Sequence, residues 1–401
     1  MVKIKGFKAY RPINPEEFTT LPYDVIDKKM EEELKKNPNS IVHVILPNGN
    51  ELEKYKNAKK VLNDFIQKKL LYQEQQDCIF LYRQESLNND LIQEGFIFLV
   101  SIDDYITGNI KKHEDTREKP LIDRLNLIKE IKMNTGLVWT VYEPKKQVSK
   151  LILEIKQQAP EVSFEKYNYR HILWKSNDTN LINQLQHYFK SIKLYIADGH
   201  HRAASAVEYG RLRRNELNGK FTGNEDFNYF MVYAQNEIFA HIFPYNRVIK
   251  KLPLNKNEFI SKVGEFFNIE QLEDKFIPQK KGEIGIYLDS KWYCLTLKTK
   301  YKNESKNLFD SEILQKYIFE PILKIEDIRK SENIIFVGGI VSVNEMEKYI
   351  DELGNDIFFS LHPVNISDIK RICNLNRTMP PKTTWFEPKL LTGLVLNPIL
   401  D

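Results

Sequence analysis

The chain has 401 residues, and its 59 Lys and Arg against 55 Asp and Glu leave a formal charge of +4. That length predicts two or three compact units, and charges so evenly balanced exclude a broad footprint for duplex DNA while allowing a local basic cleft for a small polyanion such as a nucleotide. A hydrophobic share of 42% excludes extended disorder, and the absence of a signal-like opening or an apolar run of spanning length predicts a soluble, cytoplasmic protein without a membrane segment.

The first elements read as mixed α and β. The runs SIVHVILP (40–47), CIFLYRQ (78–84) and GFIFLVSID (95–103) predict strands, with an amphipathic helix at 52–71 between the first two and a hairpin turn at SLNND between the second and third. Leu121, Ile122, Leu125, Ile128 and Ile131 have helical spacing, and Asn134, Thr135 and Gly136 predict the stop. LVWTVY is a further strand, followed by helices at 148–158 and 180–189 and then the strand KLYIA. The turn DGHHR leads into a helix at 201–218.

Beyond it, DFNYFMVYAQ and IFAHIFPYNRVI predict a hairpin around Asn236 and Glu237, and GEIGIYLDSKWYCLTL another around Asp289 and Ser290. Helix at 308–323, strand at 334–337, helix at 343–353, strand at 357–361 and a short helix complete the pattern before an irregular, proline-rich tail. The expected class is mixed α/β (α+β). Cys78, Cys294 and Cys373 lie far apart, which reads as three reduced, buried thiols rather than a paired-cysteine zinc site. No repeat or low-complexity linker is present.

The chemistry concentrates at Asp198, Gly199, His200, His201 and Arg202. A strand-to-helix turn offers unpaired N–H groups and the positive end of the helix dipole. Gly199 would permit a tight turn, Arg202 and the two histidines could donate to phosphate, and Asp198 could cap the helix or orient a histidine. On these residues alone, an anion site and a capped helix with a polar first turn remain the two readings. Adjacent histidines without a Cys, Asp or Glu cluster do not make a metal site.

The turn and its alanine-rich helix resemble the nucleotide-binding box of the ParB and sulfiredoxin-like superfamily, and within it the free serine kinase branch. That branch pairs DGHHR with an upstream His-Glu dipeptide, found in this chain as KKHEDT. Over its length the chain resembles a large bacterial family of uncharacterised serine-kinase-like proteins, through LPYDVI, IKKHEDT, NTGLVWTVY, YIADGHHRAASA, YNRVIK, FVGGI and MPPKTTWFEPKL. The resemblance implies a nucleotide-binding core at 108–220, flanked by α/β regions at 1–107 and 221–401. It also implies phosphoryl transfer from ATP or ADP with Mg2+ to a free hydroxy amino acid, with L-serine as acceptor and Glu114 as base.

In an extended segment His113 and Glu114 point to opposite sides, so one of them, expected to be Glu114, faces the cleft. His113, Thr116, Arg124, Asp24 and Lys382 are further candidates for binding substrate, with Arg124 able to pair with a carboxylate or else with Asp123 or Glu130. A ParB-like nucleotide-dependent switch and a nucleotide hydrolase are the alternatives. The switch needs no proton acceptor, so KKHEDT favours the kinase.

Overall fold

In the computed structural model, which describes residues 1–328 and 330–400, the run expected as a strand at 95–103 lies within a nine-stranded sheet. The strands in chain order are β1 (Ile4–Lys5), β2 (Ile79–Ser86), β3 (Ile92–Ser101), β4 (Ile110–Lys111), β5 (Val138–Tyr142), β6 (Val162–Lys166), β7 (Tyr169–Ser176), β8 (Leu194–Asp198) and β9 (Tyr229–Asn236). They pair in the order β4-β8-β5-β9-β3-β2-β7-β6, with β1 also on β3. β4 with β8 and β5 with β9 are parallel, the other pairs antiparallel. β3 is apolar on both faces because both are covered: Phe96, Phe98 and Val100 on one side and Ile97 and Leu99 on the other are fully buried.

The helices around this sheet follow the expected spacing. They are α1 (Val42–Ile45), α2 (Glu53–Gln67), α3 (Glu118–Ile131), α4 (Lys146–Ile155), α5 (Thr179–Phe189) and α6 (His200–Glu216). α3 ends one turn before the expected stop, at Lys132 in the left-handed conformation. α1 replaces the strand expected at 40–47. Val44 and Ile45 are buried in one cluster with Tyr55, Ala58, Leu62 and Phe65 of α2, and Val42 is buried too; a short, largely buried run carries no period that separates helix from strand.

Two further expectations change. The hairpin β6–β7 falls in 159–178, where the sequence showed no clear run; β6 lies at the sheet edge, and its alternating intermediate and exposed residues leave little apolar signal. The hairpin expected around Asn236 and Glu237 does not form. Both edges of β9 are already occupied by β3 and β5, so the next strand, β10 (His241–Phe243), pairs elsewhere, with the segment Trp385–Glu387.

The chain divides there. One unit comprises Met1–Ala240 and Pro388–Asp401, the other His241–Glu387. The borders expected at 107 and 220 fall inside the first unit, because β2 and β3 share the sheet with β5, β7, β8 and β9. The second unit holds a six-stranded antiparallel sheet of β11 (Tyr245–Ile249), β12 (Phe267–Leu272), β13 (Glu283–Leu288), β14 (Lys291–Leu297), β15 (Ile334–Gly338) and β16 (Ile357–Leu361), in the order β12-β14-β13-β16-β11-β15. Asp289 and Ser290, both at positive φ, turn the β13–β14 hairpin as expected. All three cysteines are buried. Among the described residues, no helix is long and apolar enough to cross a membrane.

α6 packs on α3, and on another side its Gly210 lies close against Phe227 and Ile102. A Cβ there would lie 2.4 Å from the Phe227 carbonyl oxygen and 2.6 Å from Ile102 Cδ1. Gly210→Ala is therefore expected to destabilise the first unit by about 1–3 kcal/mol through overpacking. Gly264→Ala, in the helix Lys256–Phe266 with its nearest neighbour at 3.8 Å, is expected to stabilise the second unit by about 1 kcal/mol. Thermal unfolding of both variants measures the contrast.

Candidate functional site

β8 ends at Asp198, and Gly199, at φ 88° and ψ 28°, turns the chain into α6. This left-handed conformation suits glycine. The site also has no room for a side chain, since a Cβ on Gly199 would lie 3.0 Å from Cζ and Nε of Arg202. Arg202 thus folds back over the turn, where it donates to the Leu137 carbonyl and its Nε is buried without a hydrogen-bond partner. The N–H groups of His200, His201 and Arg202 open the helix, where no carbonyl four residues back is available inside it.

Asp198 organises the turn electrostatically. Its Oδ1 accepts from the Gly199 N–H at 2.8 Å, and its Oδ2 lies 3.5 Å from Lys389 Nζ and 3.6 Å from Arg202 Nη2. Burial opposes its charge, but Lys389, Arg202 and the Gly199 N–H together hold its carboxyl well below the usual range. Asp198 stays ionised, which keeps two cations at the turn. Lys389 was passed over in the sequence although it stands in the same proline-rich segment as Lys382. Its signal was only a lysine flanked by Pro388 and Leu390.

His113 and His200 are neutral donors and acceptors. His113 is buried, and its Nδ1 bonds to the Ile196 carbonyl at 2.9 Å, which assigns the proton to Nδ1. The His113 backbone N–H donates to His200 Nε2 at 3.5 Å, and the two rings meet edge to face at 4.6 Å between centroids. His200 therefore carries its proton on Nδ1, the atom 3.9 Å from Glu114 Oε2. Burial pushes His113 down to about 4, and burial with the neighbouring His113 pushes His200 well down too. His201 Nε2 accepts from the Arg117 N–H at 3.0 Å, tying the loop after β4 to α6.

Glu114, on the same loop, is half-buried, opposite in aspect to the enclosed His113 as the alternation required. Thr116 lies between them and α3, partly exposed. Arg124 points elsewhere than expected for a free carboxylate binder. It pairs with Asp123, donates to the Ile45 carbonyl at 2.9 Å and stacks on Tyr23 at 4.1 Å. Asp24 is exposed beside Tyr23, whose hydroxyl is pushed up to about 12 by burial and then by the Asp24 charge. Lys382 belongs to the second unit, where its carbonyl accepts from the fully buried Arg247 at 2.7 Å and its ammonium lies over the Tyr245 ring.

Beside the turn, Tyr23, Arg124, Asn134, Thr135, Gly136, Arg202 and Thr392 line a cleft. Arg202 is the residue that this cleft shares with DGHHR. Glu114 is not in its lining.

Residues 4–317 match the family model described as protein of unknown function (DUF1015). No curated protein matches the sequence. Solved structures with some likeness include a free serine kinase in complex with AMP, at 13% identity and a TM-score of 0.33 over 72% of this chain and 86% of that one. Another is a C-terminally truncated SbnI from Staphylococcus aureus, at 12% and 0.37 over 74% and 85%. A third is a conserved hypothetical protein from Pyrococcus furiosus, at 11% and 0.33 over 72% and 90%. At such TM-scores the likeness specifies neither fold nor chemistry.

Two buried neutral histidines make stability depend on pH. Their folded values lie below the unfolded value of about 6.5, so the unfolded chain binds more protons, and stability present above pH 6.5 is lost as pH falls toward 4. For His113 alone the loss approaches about 3 kcal/mol. Urea unfolding of the first unit is expected to weaken steeply between pH 6.5 and 4.5, and His113→Gln to flatten that slope. A midpoint independent of pH in this window would contradict the neutral assignment.

Proposed function

We propose, from the premise that this chain belongs to the family described as protein of unknown function (DUF1015), that it is a small-molecule kinase. The reaction is transfer of a phosphoryl group from ATP or ADP to the hydroxyl of a free amino acid, with L-serine giving O-phospho-L-serine. One observation carries this reading: a half-buried carboxylate, Glu114, stands 3.9 Å from His200 in the turn that opens α6. A proton acceptor and a helix N-terminus with Arg202 are thus supplied side by side, which is what alcohol phosphorylation needs. The likeness of DGHHR and KKHEDT to the nucleotide box and His-Glu pair of the free serine kinases agrees with it.

In this reaction the serine hydroxyl gives its proton to Glu114 while its oxygen forms a bond to the terminal phosphorus. The bond from that phosphorus to the bridging oxygen breaks, and its electron pair leaves with the shortened nucleotide. Charge on the phosphates meets the first N–H groups of α6 and the Arg202 guanidinium. Both His113 and His200 are neutral, and the Nδ1–H of His200 is turned toward Glu114, 3.9 Å away. His113 fixes the His200 tautomer from beneath. Mg2+ would spread charge over the phosphates; Asp198, its oxygens already met by Lys389, Arg202 and the Gly199 N–H, does not fit as its ligand.

The test is incubation of the purified protein with L-serine, Mg2+ and either ATP or ADP, with phosphoserine read by mass spectrometry. Glu114→Gln is expected to lower kcat by about 100-fold or more while nucleotide affinity stays unchanged. Nucleotide hydrolysis without phosphoserine would replace the kinase with a hydrolase. Absence of any nucleotide binding would remove the phosphate role of Asp198 to Arg202.

A further inference from the structure

Resting on the kinase reading, we propose that the cleft beside the turn is the site for the nucleoside of the donor, and that the amino acid acceptor binds outside it. The cleft walls are mainly apolar, with Ile45, Leu127, Val138, Phe230 and Met231 among them. Polar groups are few and neutral apart from two arginines, Arg124 paired with Asp123 and Arg202 with Asp198. Tyr23 remains a protonated donor there, and Asn134, Thr135 and Thr392 add side-chain donors and acceptors. Apolar faces with a few polar groups suit an aromatic base and sugar.

The lining contains no Asp or Glu. A free amino acid carries an ammonium group, and a buried ammonium without a carboxylate partner is strongly disfavoured. A nucleoside carries no such charge. Its phosphates would leave the cleft at Arg202, the residue shared with the turn, whose buried Nε lacks a protein partner. The acceptor is then left to the side of the turn occupied by Glu114, which the cleft does not include.

Gly136 provides the means of testing this. It lines the cleft at an ordinary φ, and a Cβ there would meet Arg202 Cδ at 3.4 Å and Thr392 Oγ1 at 3.5 Å, so a larger side chain fills the space with little backbone strain. Calorimetry with the full chain compares ADP, adenosine and pyrophosphate at fixed Mg2+. For the wild type, ADP is expected to bind at least about tenfold more tightly than pyrophosphate, the difference reflecting the buried base. Gly136→Val is expected to weaken ADP and adenosine by at least about tenfold and leave pyrophosphate within about twofold.

Tyr23→Ala, at a different wall, is expected to give the same pattern, with thermal unfolding confirming that both variants fold. Equal affinity for ADP and pyrophosphate in the wild type would overturn the nucleoside assignment while leaving the phosphate cradle intact. So would equal weakening of both ligands by Gly136→Val. If the wild type binds neither ligand, the kinase reading and the nucleoside assignment both fall.

Discussion

The arrangement at the end of β8 depends on one partly buried charge. Asp198 is kept ionised against its desolvation by Lys389, Arg202 and the Gly199 N–H, and each of these is fixed in return. Lys389 brings the C-terminal segment to the turn from 191 residues away in sequence. Arg202 is folded over Gly199, into space that only a residue without a side chain leaves open. The carboxylate therefore does more than cap a helix: it sets where the positive charge of the site stands.

A second layer, of neutral hydrogen bonds, leads toward Glu114. The Ile196 carbonyl fixes the His113 ring, the His113 backbone N–H fixes the His200 tautomer, and His200 Nδ1 faces Glu114. Burial keeps both rings uncharged at neutral pH, so the chain of contacts has a defined direction from strand to carboxylate. The loop carrying Glu114 is pinned once more where the Arg117 N–H meets His201. Charge and neutrality are thus separated across the first turn of α6, with cations on the Asp198 side and a carboxylate on the His200 side.

Much of this was legible in residues whose local pattern and burial agree. β3 reads as apolar on both faces because it is covered on both, and the spacing of α3, α4 and α5 reports the stripes they bury. Gly199 between an apolar strand and an alanine-rich helix marks the turn, and the alternation of His113 and Glu114 puts one inside and the other at the surface. Less legible were segments whose fate depends on a distant partner. The run at 40–47 is a helix because α2 encloses it, and β9 forms no hairpin with the following segment because β3 and β5 already hold its edges. Lys389 looked no different from Lys382, and only chain return brings it to Asp198.

By itself the sequence determined the mixed α/β class, the strand, turn and helix at 194–216, and the chemistry available at that turn, because these follow from local periodicity, glycine conformation and side-chain type. Tertiary structure alone decided which cations reach Asp198, which nitrogen of each histidine carries a proton, and that Arg124 pairs with Asp123 while Arg202 pairs with Asp198 at the edge of the cleft. Those outcomes depend on distances between segments far apart in the chain and on the loss of water around charged groups, and neither is encoded in any single stretch of sequence.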